Sequence, residues 1–165
     1  MHYNTPVEAC EYAVANHDGD IVEIGAGYGE TTIYFLAIAE KYNRKVIVID
    51  PFELGWSDMP PTYRYAYDVF EGKTSKYKDR LILHKRNSLC KSSEAICSGT
   101  LAFAFIDGLQ LKGSLLNDIR ITNHAAIICL DDMDRETDES QVRSTLNEFT
   151  TNKTLTIKTR WAFLE

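Results

Sequence analysis

Three glycines fall within five positions of Val22-Glu23-Ile24-Gly25-Ala26-Gly27-Tyr28-Gly29-Glu30-Thr31-Thr32, directly behind a short apolar run. Glycines between a strand and a helix allow torsions and close approaches that a Cβ would block, and helix amides beyond them favour negative charge. A ligand lying against the backbone is the chemistry to expect there, the alternative being a turn tight for packing alone. Asp50 ends a second apolar run about twenty residues on, where a carboxylate can accept hydrogen bonds from both hydroxyls of a ribose. Its alternative is a turn signal before Pro51. Asp107 follows the run LAFAFI, and Asp131 and Asp132 follow AAIICL. If those runs are neighbouring strands, roughly 5 Å apart, the three carboxylates can share one hard divalent ion of the Mg2+ type. Without a cation they would repel and raise one another's pKa. The alternative is a solvated acidic loop, LDDMDRETDES.

These residues need elements to hold them, and the chain alternates apolar strand-like runs with segments of helical period. That alternation predicts an α/β fold: one doubly wound, Rossmann-like, mostly parallel seven-stranded sheet with helices on both faces. Thr5, Pro6 and Glu8 open a first helix with a cap, a first-turn proline and a capping box, and it ends near His17 to Gly19. Strands are expected at 20–24, 45–49, 80–84, 101–106 and 125–130, with helices near 31–42, up to about Tyr77, 93–97, 112–122 and 139–149. Two strand-like pieces close the chain, TLTIK and WAFLE, with only Thr159-Arg160 between them. That gap is too short for a parallel crossover, so the last strand should return antiparallel.

The 165 residues, 44% apolar and 25% charged, suit one domain spanning 1–165. No apolar run approaches the roughly 20 residues that cross a bilayer, and the start MHYNTPVEAC lacks the marks of a signal peptide, so a cytoplasmic address is expected. The formal charge of −6 argues against a nucleic-acid partner held through a phosphate-neutralising surface. Cys10, Cys90, Cys97 and Cys129 form no CxxC pair, and Cys129 reads as a reduced, buried small hydrophobe.

A dinucleotide fingerprint needs its third glycine one position later, where this chain has Glu30. The glycine spacing therefore separates S-adenosylmethionine from NAD, although both carry a ribose. At this point the sequence resembles the class I S-adenosylmethionine-dependent methyltransferases, with E-x-G-x-G-x-G at Glu23 to Gly29 and VIVID as the acidic second motif. More narrowly, VEIGAGYGETT, VIDPF at 48–52, DRLILHKRNS at 79–88, FIDG at 105–108 and LDDMD at 130–134 resemble the small metal-dependent O-methyltransferases grouped with macrocin-type enzymes. The resemblance implies that Gly25, Ala26, Gly27, Tyr28 and Gly29, with Thr31 behind them, lie along the methionine part of the cofactor. It also implies that Asp50 holds the ribose, that Asn87 and Ser88 lie near the adenine, and that Glu23 orients the cofactor's ammonium end or neighbouring amides.

Asp107, Asp131 and Asp132, read from the strand tips independently of the resemblance, are the expected metal ligands, and Asp107 is also the expected cofactor-side and catalytic residue. A metal held there would chelate two acceptor oxygens and lower the pKa of the attacking hydroxyl. The chain departs from its relatives at Asn87, usually Asp, and at Gln110, often a His that serves as base. Gln cannot take a proton at neutral pH, which leaves Asp107 or a metal-bound oxygen for that work; His84 and His124 read as structural.

The function expected is O-methylation of a sugar, glycoside or other small hydroxylated acceptor. Trp56 and Tyr63, Tyr65 or Tyr67 are possible walls of the acceptor pocket, or else packing of the insert helix. With little chain to form a lid, a second copy is expected to complete the pocket as a homodimer or higher homo-oligomer, with its seam among the aromatics of 56–70. The alternatives are a catalytically weak or inactive S-adenosylmethionine-binding module and a nicotinamide-dependent oxidoreductase.

Overall fold

The computed structural model describes residues 3–53, 64–108, 112–132, 146, 154–158 and 160–164. Trp56, Tyr63, Gln110 and Asp134 lie outside them, as does the expected helix at 139–149 apart from Leu146, which is helical and fully buried.

Five helices and seven strands are described: α1 (Pro6–Asn16), β1 (Asp20–Ile24), α2 (Thr32–Tyr42), β2 (Val46–Ile49), α3 (Ala66–Thr74), β3 (Leu81–His84), α4 (Lys91–Ile96), β4 (Leu101–Ile106), α5 (Lys112–Thr122), β5 (Ile127–Leu130), β6 (Leu155–Lys158) and β7 (Trp161–Leu164). The strands form one sheet in the order β3-β2-β1-β4-β5-β7-β6. Pairing is parallel from β3 through β5, and β7 lies antiparallel between β5 and β6. The mostly parallel Rossmann-like sheet with an antiparallel last strand is therefore as the sequence implies.

Local sequence explains the elements. Thr5 caps α1 with its hydroxyl, which accepts the Glu8 amide at 3.2 Å. The return contact reaches one residue further than a capping box predicts, because the Glu8 carboxylate accepts the amide of Asn4 at 2.7 Å. Every residue of β2, β4 and β5 is buried, as expected of parallel strands covered on both faces. Alternate residues feed two cores. Ile21, Val48, Phe103 and Phe105 pack with α1, α2 and α3, whereas Val22, Ile49, Ala104 and Ile106 pack with α5 and the end of α4. At the edge, β3 is only partly covered and Ile82 is exposed. No described helix is long and apolar enough to cross a membrane.

Register decides where the chemistry falls. Ile24 pairs with Ile49 and with Ile106, and Ile106 pairs with Leu130, so four strands end level. The next residues continue the ladder by one step: Gly25 donates to Ile49, Asp107 to Ile24 and Asp131 to Ile106, at 2.8–3.0 Å, while Asp50 donates to His84 at 3.2 Å. Asp50, Gly25, Asp107 and Asp131 thus stand in a row along the carboxyl edge, where ligands bind in open α/β sheets.

Candidate functional site

The glycine loop connects β1 to α2 with Gly25, Gly27 and Gly29 all at positive φ, +86°, +51° and +77°. Gly25 is required by contact as well as torsion, since a Cβ there would lie 2.3 Å from the Asp107 carbonyl oxygen. At Gly27 a Cβ would meet nothing within 4 Å, so the loop is open on that side. Tyr28 is half-buried, and Thr31 precedes α2 without a side-chain cap bond.

Asp50 fixes this loop. Its Oδ2 accepts the amides of Ala26 at 2.8 Å and Gly27 at 2.9 Å, and its Oδ1 accepts the amide of Phe52 at 2.6 Å. A carboxylate has about four acceptor positions, so three are filled by backbone and one is left at Oδ1. The expectation that Asp50 accepts both hydroxyls of a ribose thus meets a carboxylate with one acceptor position left, at Oδ1. Phe52 adopts φ +52°, costly for an aromatic residue, and is held there by its amide bond and by ring contacts with Tyr67 and Phe70 at 5.4 and 5.1 Å.

Glu23 lies beneath the loop, fully buried, and accepts the Thr32 hydroxyl at 2.6 Å. Burial raises its pKa to about 8, and the charges of Asp107 and Asp50 push in the same direction against the Thr32 bond. Its observed contact is thus with the first turn of α2, tying β1 to the helix that follows the glycines.

Asn87 is exposed, and its side-chain oxygen accepts the Leu89 amide at 2.9 Å in a local turn. Ser88 lies near enough to lower the pKa of Asp118, a residue of α5 that is 1% exposed and whose Oδ2 lies 3.5 Å from where a Gly108 Cβ would be. Burial raises the Asp118 pKa to about 6, with Ser88 and Asn117 opposing. Sequence reasoning missed Asp118. The signal was an acid on the stripe Leu115, Asp118, Ile119, Thr122, all of them buried on one helix face.

Two aspartates of the expected metal centre, Asp131 and Asp132, stand around a cation that the chain supplies itself, and Asp107 acts on it only through its charge. Arg160 Nε donates to Asp131 Oδ1 at 2.6 Å and Nη2 to Asp131 Oδ2 at 2.9 Å, and Nη2 stands 3.7 Å from Asp132 Oδ1. Asp131 Oδ1 also accepts the Asp132 amide at 2.7 Å. These bonds, with the charges of Asp131, Asp132 and Asp107, hold the Arg160 pKa above its ordinary value. The residues therefore do not fit the Mg2+ site expected at Asp107, Asp131 and Asp132: both oxygens of Asp131 are already bonded to a guanidinium. No group of three acidic, histidine or cysteine side chains among the described residues is arranged to hold a metal. Topology was the missed signal. Because β6 and β7 form an antiparallel pair, the turn between them returns to the carboxyl edge, and Leu130 pairs with Ala162, which sets Arg160 beside Asp131 and Asp132.

Other residues behave structurally. His124 bonds through Nε2 to the Gly99 carbonyl at 3.0 Å. Cys129 is buried, and burial raises its thiol pKa well above the usual value, which keeps it unreactive. Tyr65 is exposed beside Arg64, while Tyr67 donates to Glu71 at 3.1 Å and lies under Lys85. A cleft of about 160 Å3 runs between α3 and β3, bounded by Tyr67, Phe70, Lys78 and Leu81. It lies on the outer flank of the sheet, and none of the glycine-loop or aspartate residues lines it.

The fold is that of the class I S-adenosylmethionine-dependent methyltransferases. CalS11, a TDP-rhamnose 3'-O-methyltransferase of calicheamicin biosynthesis, is similar with a TM-score of 0.71 at 16% identity, over 96% of this chain and 76% of that one. PaMTH1 of Podospora anserina, solved with S-adenosylhomocysteine, has a TM-score of 0.62 at 12% identity over 96% and 76% of the two chains. The O-methyltransferase TomG of Streptomyces achromogenes, involved in tomaymycin synthesis and solved with S-adenosylmethionine, has a TM-score of 0.61 at 13% identity over 96% and 77%. No protein-family model and no curated protein matches the sequence.

Proposed function

We propose that the chain is an S-adenosylmethionine-dependent O-methyltransferase acting on a sugar, glycoside or similar small hydroxylated molecule. The observation that carries this reading is the capture of the Ala26 and Gly27 amides by Asp50. A pyrophosphate needs such amides as donors; here they are taken by a carboxylate, which would also repel it. Among the described residues, Asp50, Asp107, Asp131 and Asp132 outnumber the guanidinium of Arg160 at this edge, a field that suits a cationic sulfonium and ammonium and opposes a dinucleotide.

In this reading the methionine part lies over the open side of Gly27, one ribose hydroxyl bonds to Asp50 Oδ1, and the adenine lies toward Asn87 and Ser88. The acceptor oxygen attacks the methyl carbon, a C–O bond forms as the C–S bond breaks, and sulfur keeps the electron pair to give S-adenosylhomocysteine. Asp107, half-buried at the tip of β4, takes the hydroxyl proton. The likeness to CalS11 supports a sugar-type acceptor. A homo-oligomer seamed along exposed Tyr65 and Val69 belongs to the proposal, as does a cytoplasmic site of action.

Incubation with methyl-labelled S-adenosylmethionine and a panel of glycosides and phenols tests the reading. Label should pass to a hydroxylated acceptor with equal release of S-adenosylhomocysteine. Binding of S-adenosylhomocysteine without transfer to any acceptor would favour the inactive-module alternative.

A further inference from the structure

We infer that Arg160 is the resident cation of this site and that the chain performs its chemistry without a divalent metal. The assignment rests on geometry, and its meaning for methyl transfer rests on the function proposed above. Asp131 is 5% exposed. A carboxylate so buried needs a positive partner and filled acceptor positions. Arg160 supplies both through a two-pronged contact, the arrangement in which a guanidinium binds a carboxylate most strongly. Mg2+ demands near-octahedral oxygen ligation at about 2.0–2.1 Å. To reach Asp131 it would have to share a carboxylate that already accepts two guanidinium bonds and the Asp132 amide, and to stand beside the charge of Arg160.

The replacement changes what the site offers an acceptor. A metal gives open coordination positions and favours two neighbouring oxygens. A guanidinium gives directed N–H donors, so one oxygen is enough. The Arg160 side chain is 51% exposed, and its Nη1 has no hydrogen-bond partner among the described residues. That edge of the group is the donor we assign to the acceptor side of the pocket. Asp131 and Asp132 position Arg160; Arg160 positions the acceptor oxygen.

Mn2+ titration followed by electron paramagnetic resonance tests this on the full chain, with R160A and R160K alongside. The wild type should leave the free Mn2+ signal intact to about 1 mM. R160A, which removes the guanidinium from both Asp131 oxygens, should bind Mn2+ at least about tenfold more tightly. R160K, which keeps the charge, should behave as wild type, and R160Q, which removes the charge but keeps a polar side chain, takes the place of R160A if that variant does not fold. Stoichiometric Mn2+ binding by the wild type would overturn the inference, as would identical responses from wild type and folded R160A. Titration of the same samples with S-adenosylhomocysteine separates the two claims: no binding in any of them would end the methyltransferase reading and leave the Mn2+ result to stand by itself.

Discussion

Asp50 Oδ2 accepts the amide of Gly27 at 2.9 Å, so the anion position of the glycine loop is filled by the chain's own carboxylate. In a dinucleotide site that position belongs to the pyrophosphate. Here the sheet register sets the carboxylate one step from the loop, the glycines let the backbone turn toward it, and the remaining open side lies over Gly27. In the proposed function, ligand choice is thereby built into the backbone hydrogen bonding.

Removing that anchor should loosen the loop and the fold together. Asp50→Ala leaves three amides without an acceptor. Hydrogen bonds to a charged group contribute about 1.5–3 kcal/mol each, with losses at neighbouring sites not additive. A stability loss of about 3 kcal/mol and at least a tenfold weaker S-adenosylhomocysteine affinity are expected, read by denaturant unfolding and calorimetry. Wild-type stability in the variant would contradict the anchoring role.

Two glycines of one loop should respond differently. In Gly25→Ala the new Cβ meets backbone atoms of Asp107 and Gly108 at 2.3–2.7 Å, so β1 and β4 must part and the protein should unfold readily. Gly27→Ala adds only torsional strain, about 1–2 kcal/mol at φ +51°. Its methyl group enters the open side, so the variant should fold and bind S-adenosylhomocysteine at least about tenfold more weakly. Thermal melts and titrations of the pair check this, and unaltered affinity in Gly27→Ala would move the cofactor elsewhere.

Glu23 should make the protein less stable as pH rises. Its folded pKa, about 8, is above the ordinary value of 4.5, so the folded state holds the proton more tightly than the unfolded chain. The stability this contributes is complete below 4.5 and is lost as pH climbs through about 8. Asp118 acts in the same direction but only up to about 6, so among the described groups the loss of stability from 6 to 8 is Glu23's, opposed at the lower end by His84, whose pKa burial lowers from 6.5. Glu23→Gln should flatten stability against pH in that interval. A slope as steep as wild type would mean that another group titrates.

Ser88 should act through Asp118. Loss of its hydroxyl in Ser88→Ala removes a contact that lowers the Asp118 pKa, so that pKa should rise further, as followed by carboxyl carbon resonance. A stability cost of about 1 kcal/mol is expected for one such contact. Cofactor affinity should fall several-fold, because the Asn87–Ser88 turn is tied to α5 through this contact and the Asn117 bond to the Ser88 carbonyl. An unmoved Asp118 titration would dissociate the two residues.

Much of this architecture was legible because parallel strands buried on both faces must be apolar, and VIVI, LAFAFI and IICL are so without interruption. The row of Asp50, Asp107 and Asp131 was legible for the same reason, since a polar residue ending each run marks the edge of the core. What those carboxylates bond to was not. Asp50 at the end of its strand can accept loop amides or ribose hydroxyls, and no residue pattern tells which wins. Arg160 was hidden in a two-residue turn whose place at the carboxyl edge follows only from the antiparallel return of β7. Asp118 was hidden because an acid on an apolar helix stripe gains its meaning from Ser88 and Gly108, which come from other segments.

Calorimetric titration of the chain with S-adenosylhomocysteine and with NAD, each with EDTA and with Mg2+, tests the central claim most directly. The account predicts binding of S-adenosylhomocysteine at one site, unchanged by EDTA or Mg2+, and no heat from NAD. Tight NAD binding with no response to S-adenosylhomocysteine would contradict it.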